Sequence, residues 1–166
     1  LLGEAGIAAG EDGRRGYDHG TFIPLKLMFA EADVPVVQLS LQRDLDAATH
    51  LAIGRAIAPL RDEGVLIVGS GMSFHNMRGY GDPRFAPISD EFDHWLSNAV
   101  SAPSSDREAL LQGWEQAPSA RLCHPPRGEE HLLPLMVAAG AAADGAGRKV
   151  FTDRVMHTTL SAYQFD

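Results

Sequence analysis

The sequence predicts a single α/β domain built in three layers, with a central mixed sheet between helices. Two apolar segments rich in β-branched residues have the length and composition of strands, Val34–Leu41 and Val65–Val68. Stretches with apolar residues at helical spacing surround these two segments, which favours helices on the faces of a sheet. With 166 residues, 45% of them hydrophobic, the chain is long enough for one domain with a buried core.

The composition argues against several classes of partner. The formal net charge is −8, and no cluster of Lys and Arg stands out, so we expect neither a nucleic-acid partner nor binding to anionic membranes. No apolar run approaches the length of a membrane span. The single cysteine, Cys123, excludes an internal disulfide and favours a cytoplasmic protein. A homo-oligomer is compatible with the sequence.

A short helix is predicted ahead of the first strand. Thr21 is its expected N-cap, because the hydroxyl can accept a hydrogen bond from a first-turn N–H, and Pro24 is tolerated in that turn. The helix runs from about Phe22 to Glu31 and is mostly apolar, so we expect it to be buried. Pro35 fits only near the start of the strand that follows.

A longer helix is predicted between the two strands. Asp44 or Asp46 is its expected cap, it continues to about Asp62, and Gly64 ends it. His50 lies beside the apolar stripe of this helix, so we expect its side chain to be exposed.

Two further helices are predicted in the middle of the chain. The first, Ser89–Val100, carries Phe92 and Leu96 at helical spacing on its inner face, with His94 at the surface. The second begins at Ser105–Glu108, a sequence that matches the capping box.

The last part of the chain predicts one more helix and two strands. The helix covers Glu129–Ala143 and has two glutamates in its first turn, where the helix dipole favours anions. The same field disfavours a charged imidazole, so we expect His131 to be neutral, which is the form that can bind a metal. The strands are Lys149–Phe151 and Val155–Phe165, and His157 is expected at the surface.

The most informative stretch is Gly69–Asn76, which follows the buried strand Val65–Val68. Its small residues allow a sharp turn and a close approach by another group. His75 and Asn76 come next, at the carboxyl end of the strand, which is the edge where open α/β sheets bind ligands. A titratable side chain at that edge indicates a functional site.

Three histidines occur in settings that could converge on one cleft. His19 lies in a turn flanked by glycines, His75 follows a strand, and His131 opens a helix. Imidazoles together with the neighbouring carboxylates of Glu129 and Glu130 suit divalent iron, zinc or manganese. The motifs of zinc proteases and serine hydrolases, HExxH and GxSxG, are missing from the chain.

Four segments stand out, in order along the chain: Gly16–Leu25, Val36–Ser40, Gly69–Asn76 and Glu130–Leu135. Together they resemble the class III extradiol ring-cleavage dioxygenases, in particular the bacterial and plant DOPA-dioxygenase-like subgroup. The resemblance implies a non-haem enzyme that opens a catechol-type ring with O₂. It implies Fe(II) as the metal, with zinc as an alternative occupant of the site.

The resemblance also implies roles for individual residues. His131 and His75 match metal ligands, and His75 also matches the acid/base residue. His19 matches a second catalytic histidine that positions the substrate or oxygen. Glu130 and Asn76 are weaker candidates, as supporting groups around the metal.

The sequence departs from the family pattern at its amino-terminal end. The family has a Gly-His-Gly-Ser-Pro-like turn and a further histidine that supply two metal ligands, and neither occurs here. The resemblance therefore makes residues 1–166 the carboxyl-terminal part of an extradiol dioxygenase catalytic domain. Two alternatives stay open: a non-catalytic metal- or partner-binding protein on the same fold with a degenerate site, and a zinc-dependent hydrolase that uses His75.

Overall fold

Capping residues and apolar periodicity divide the chain into six α-helices followed by a β-hairpin. The computed structural model describes residues 1–166. The helices are α1 (His19–Met28), α2 (Ala47–Ile57), α3 (Phe85–Ser101), α4 (Ser104–Gln112), α5 (Ala120–Cys123) and α6 (Leu133–Ala141). The strands are β1 (Gly147–Val155) and β2 (Thr158–Phe165), and short 3₁₀ helices cover Ala58–Glu63 and Trp114–Gln116. None of the helices combines the length and the apolar character needed to cross a membrane.

The sheet is smaller than the sequence predicts. β1 and β2 pair antiparallel, with Gly147 opposite Phe165, and no third strand joins them. The segments Val34–Leu41 and Val65–Val68 have no ladder partner, and Val37 is 94% exposed. β1 and β2 pair with each other, and neither of these two segments joins them in a ladder. One domain that combines helices and a sheet is confirmed. In place of three layers around a central mixed sheet, however, it has helices and one small antiparallel sheet.

The core is built around α3. Phe92, Leu96 and Val100 are fully buried on its inner face, as their spacing predicts. The helix begins at Phe85, a few residues earlier than expected, and the hairpin packs on it. His94 is exposed, as predicted. α2 and α6 pack against each other and contribute Leu51 and Met136 to the same core.

His50 is buried, contrary to the expectation that it is exposed. Its side chain is completely inaccessible, and both ring nitrogens contact backbone groups. Nδ1 lies 2.6 Å from the carbonyl oxygen of Asp46, and Nε2 accepts a hydrogen bond from the N–H of Gln42 at 3.1 Å. Burial costs little because both nitrogens are satisfied. Asp46 caps α2, as one of the two predicted residues, and Gly64 follows the 3₁₀ turn in a left-handed conformation, φ 80°.

The first helix begins earlier than predicted and is not buried. Its N-cap is Asp18, whose carboxylate accepts the N–H of Thr21 at 3.1 Å, so Thr21 is inside the helix and does not cap it. Gln38 fixes this cap, because its amide nitrogen donates to the Asp18 carboxylate at 2.9 Å. No residue of α1 is buried, and Leu27 is 84% exposed.

Three further boundaries differ from the expectations. α4 begins at Ser104 with no side-chain cap, so the capping box at Ser105 does not form. α6 begins only at Leu133, after a turn in which the carbonyl oxygen of Glu129 accepts the N–H of Leu132. His157 is exposed as predicted, but it lies in the hairpin turn with φ 75° and not in a strand.

Candidate metal centre

The segment Met72–Asn76 carries His75 and is fixed by hydrogen bonds, although it belongs to no sheet. Backbone and side-chain groups from four other parts of the chain hold its residues one by one. The bonds are Met72 N–H to His131 O (2.9 Å), His124 Nε2 to Ser73 O (3.0 Å), Ser161 N–H to Ser73 Oγ (2.9 Å), Tyr80 O–H to Phe74 O (2.9 Å) and His75 N–H to Cys123 O (3.1 Å). The backbone at His75 therefore has a defined position.

Two glycines allow this region to lie directly against the start of α6. A Cβ at Gly71 would stand 2.1 Å from the carbonyl oxygen of His131, and one at Gly69 would stand 2.4 Å from that of Pro134. No side chain larger than hydrogen fits at either position. The predicted close approach is confirmed, and the approaching group is the backbone of residues 131–134.

This packing brings two of the predicted histidines into contact. The rings of His75 and His131 stack with their centroids 3.6 Å apart and an angle of 22° between their planes. Oε1 of Glu130 lies 3.9 Å from Nδ1 of His75. One ligand atom from each of the three residues can be chosen so that all lie within 4.8 Å of one another. Two imidazoles and a carboxylate are a donor set that suits non-haem iron and zinc.

The surroundings of His131 favour its neutral form. Burial is the largest cause that lowers the pKa of its imidazole, and the nearby His75 lowers it further, while the Glu130 carboxylate acts in the opposite direction. The neutral state agrees with the sequence expectation, but the leading cause is burial and not the helix dipole, since α6 begins two residues later. A neutral imidazole has the free lone pair that a metal ion requires.

His19 lies at the edge of this cluster and not within it. It is the first residue of α1 and is exposed. The smallest of the four contributions to the pKa of His131 is a lowering by His19. The helix start also lies against the glycine-rich segment, since a Cβ at Gly20 would stand 3.8 Å from Oγ of Ser70.

The two supporting candidates have different surroundings. Glu130 belongs to the cluster, and its side chain is 44% exposed. Asn76 is buried and uses both ends of its amide on backbone groups: Nδ2 donates to Leu122 O at 2.7 Å, and Oδ1 accepts the N–H of Arg78 at 3.0 Å. Asn76 therefore holds the loop, and its polar atoms are engaged away from the cluster.

The sequence did not identify the residues that hold the backbone next to His75 in place. Tyr80 and His124 bond the carbonyls of Phe74 and Ser73, the two residues before His75. Neither stands in a motif that marks such a role. Glu129 is a ligand candidate by sequence, but its carboxylate is paired with Arg121, with 2.5 Å between Oε1 and the guanidinium. These contacts join residues that are far apart in the chain, so they can be identified only from the folded structure.

Comparison with known proteins supplies independent information. A family model described as the catalytic LigB subunit of aromatic ring-opening dioxygenase matches residues 1–165. The dioxygenase tasH of Hapsidospora irregularis is 39% identical over 162 residues, which cover 92% of this chain and 50% of the fungal protein. The 4,5-DOPA dioxygenase extradiol of Beta vulgaris is 42% identical over 148 residues, which cover 88% of this chain and 54% of the plant protein.

A solved structure is similar over nearly the whole chain. It is that of an uncharacterized protein from Escherichia coli K12, with a TM-score of 0.77 and 27% sequence identity, and it covers 98% of this chain and 68% of that one. The chain thus spans about half the length of the curated relatives it matches and about two thirds of this neighbour.

Proposed function

The chain belongs to the family of the catalytic LigB subunit of aromatic ring-opening dioxygenases. We therefore propose that it forms part of an extradiol dioxygenase that cleaves a catechol-type ring with O₂. The single observation that carries the proposal is the cluster of His75, Glu130 and His131 in a chain whose relatives bear dioxygenase names. Because those relatives are about twice as long, the activity is proposed for a domain of their full length.

We propose His131 and His75 as ligands of the metal, with Glu130 beside them. Enzymes of this family are non-haem and metal-dependent, and the donor set fits Fe(II), with zinc as the alternative occupant. The Lewis acidity and the redox chemistry that ring opening requires come from such an ion when it is bound. The neutral state of His131 keeps its lone pair available at neutral pH.

The remaining work falls to the side chains of the chain itself. A catechol must lose protons before its ring can be opened, and an imidazole is the side chain whose pKa suits that transfer near neutral pH. We assign this role to His75. A metal-bound imidazole has no free lone pair on its ligating nitrogen, so His75 takes the proton in a state in which it is not bound to the metal. Oε1 of Glu130 lies 3.9 Å from Nδ1 of His75. His19, at the edge of the cluster, is assigned to positioning the substrate or oxygen.

The proposal is tested by oxygen uptake. A protein that contains these residues within a domain of the relatives' full length is loaded with Fe(II) without air and mixed with catechol or DOPA. It is then exposed to O₂ in an electrode cell while the absorbance of the ring-opened semialdehyde is followed. We expect oxygen consumption to match product formation, and no product without O₂. Turnover without O₂ would instead support a zinc-dependent hydrolase, and metal binding with no turnover would support a non-catalytic binding protein.

The two histidines are expected to differ in their effect on the metal. His131→Ala should abolish metal binding, because His131 is assigned only as a ligand. His75→Ala should retain more metal but lose ring cleavage, because His75 also acts as the base. Metal content after dialysis, measured beside oxygen uptake, separates the two roles. Equal loss of metal in both variants would contradict the assignment.

A further inference from the structure

His124 is a buried imidazole with an unusual pattern of contacts. Its side chain is completely inaccessible and lies between two aromatic rings, with centroid distances of 5.5 Å to Phe92 and 5.9 Å to Trp114. Nε2 is 3.0 Å from the carbonyl oxygen of Ser73. Nδ1 is buried and has no hydrogen-bond partner.

These contacts define the state of the ring. A carbonyl oxygen can only accept a hydrogen bond, so the proton must be on Nε2, and Nδ1 carries an unpaired lone pair. Burial lowers the pKa of His124 to about 4, and the ring is therefore neutral at pH 7. An unpartnered polar atom in the core is unfavourable, and a phenylalanine between the same two rings would avoid it. The bond to Ser73 is the contact that explains a histidine at this position.

The bond is one of three that join the end of α5 to the His75 segment. Besides His124, the carbonyl oxygen of Cys123 accepts the N–H of His75 at 3.1 Å, and that of Leu122 accepts the side-chain amide of Asn76 at 2.7 Å. The His124 bond is the one of the three that comes from a side chain of α5 or its cap, whereas the Asn76 bond comes from a side chain of the His75 segment itself.

We propose that His124 is a positioning residue that, through the carbonyl of Ser73, sets the place of the His75 imidazole against His131. In this proposal His124 is not a metal ligand. It acts on His75 only through the backbone between Ser73 and His75. The inference rests on the proposed function only for the consequence that misplacing His75 weakens metal binding.

Three variants separate positioning from simple stability. His124→Phe keeps the ring shape but removes the donor, whereas His124→Gln keeps an amide N–H that can reach the Ser73 carbonyl. His50→Phe is the matched control, because His50 is equally inaccessible and also bonded to backbone, but in α2. We expect His124→Phe to weaken zinc binding by about 10–100-fold, the usual effect of losing a group that orients a metal ligand. His124→Gln should recover most of that loss, and His50→Phe should leave zinc affinity unchanged.

Two measurements do not depend on the metal. Nitrogen NMR of the unaltered chain should show His124 protonated on Nε2 alone, and hydrogen exchange at the His75 amide should become faster in His124→Phe but not in His50→Phe. A proton on Nδ1, or His75 exchange that is the same in both variants, would overturn the proposal. If the unaltered chain binds no zinc while these two results hold, the proposed function fails and the positioning role stands.

Discussion

A methyl group added at position 71 should separate the two segments that bring His75 and His131 together. The Cβ of Gly71→Ala would stand 2.1 Å from the carbonyl oxygen of His131, whereas ordinary contact begins at 3.4 Å, so the segments move apart by about 1.3 Å to restore ordinary contact. The movement lengthens the 2.9 Å hydrogen bond from the Met72 N–H to the same oxygen beyond bonding distance.

The cost follows from these two changes. Overpacking against backbone costs about 1–3 kcal/mol, and the lost hydrogen bond adds about 1 kcal/mol. We therefore expect the free energy of unfolding to fall by about 2–4 kcal/mol. Since ligand sets tolerate displacements of only about 0.5 Å, zinc affinity should fall by about 100-fold.

Urea unfolding and zinc titration with a competing chelator measure the two effects. The control is Gly16→Ala, because a Cβ at Gly16 meets no atom within 4 Å and the residue has no left-handed backbone. That variant should change the stability by less than about 0.5 kcal/mol. A Gly71→Ala chain that unfolds at the same urea concentration and binds zinc as before would refute the packing argument.

Two other predictions concern buried titratable side chains. As the pH falls from 6.5 towards 4, the unfolded chain takes up a proton at His124 that the folded chain does not, because the folded pKa is about 4 against an ordinary value of 6.5. The free energy of unfolding should therefore fall by up to about 3 kcal/mol over that range. In urea unfolding at each pH, His124→Gln should lack this part of the loss. Identical pH dependence of stability in the two proteins would contradict the lowered pKa of His124. Asp93→Ala should cost about 2 kcal/mol, because Lys149 Nζ, 2.5 Å from this buried carboxylate, and the Ser161 hydroxyl lose their shared partner, while the Lys149 side chain is itself 29% exposed. A loss below about 1 kcal/mol would show that this pair behaves as an exposed one.

Local patterns in the sequence were sufficient for the helices that pack by apolar periodicity. Phe92 and Leu96 mark the inner face of α3, and Gly64 ends the turn after α2, as their residue types predict. The sheet could not be obtained this way, because pairing depends on which segments meet, and β1 and β2 meet only each other. His50 shows the same limit, since backbone partners from two places make its burial inexpensive.

The candidate site was predictable where a motif carried it. The glycine-rich segment and His131 were found from their residue types, and the structure brings His75, Glu130 and His131 together. The groups that fix their positions were not predictable, because Tyr80 and His124 act through single hydrogen bonds to backbone carbonyls distant in sequence. Such contacts leave no spacing pattern, since the residues that meet are set by the packing of α5 and the loop after residue 76.

Metal content after dialysis tests most directly whether His75, Glu130 and His131 form one metal site. The unaltered chain, His131→Ala and His157→Ala are each incubated with zinc, dialysed together, and analysed for bound metal; His157 is an exposed histidine in the hairpin turn. We predict about one equivalent of zinc in the unaltered chain and in His157→Ala, and almost none in His131→Ala. Zinc retained by His131→Ala, or lost equally from His157→Ala, would contradict the account.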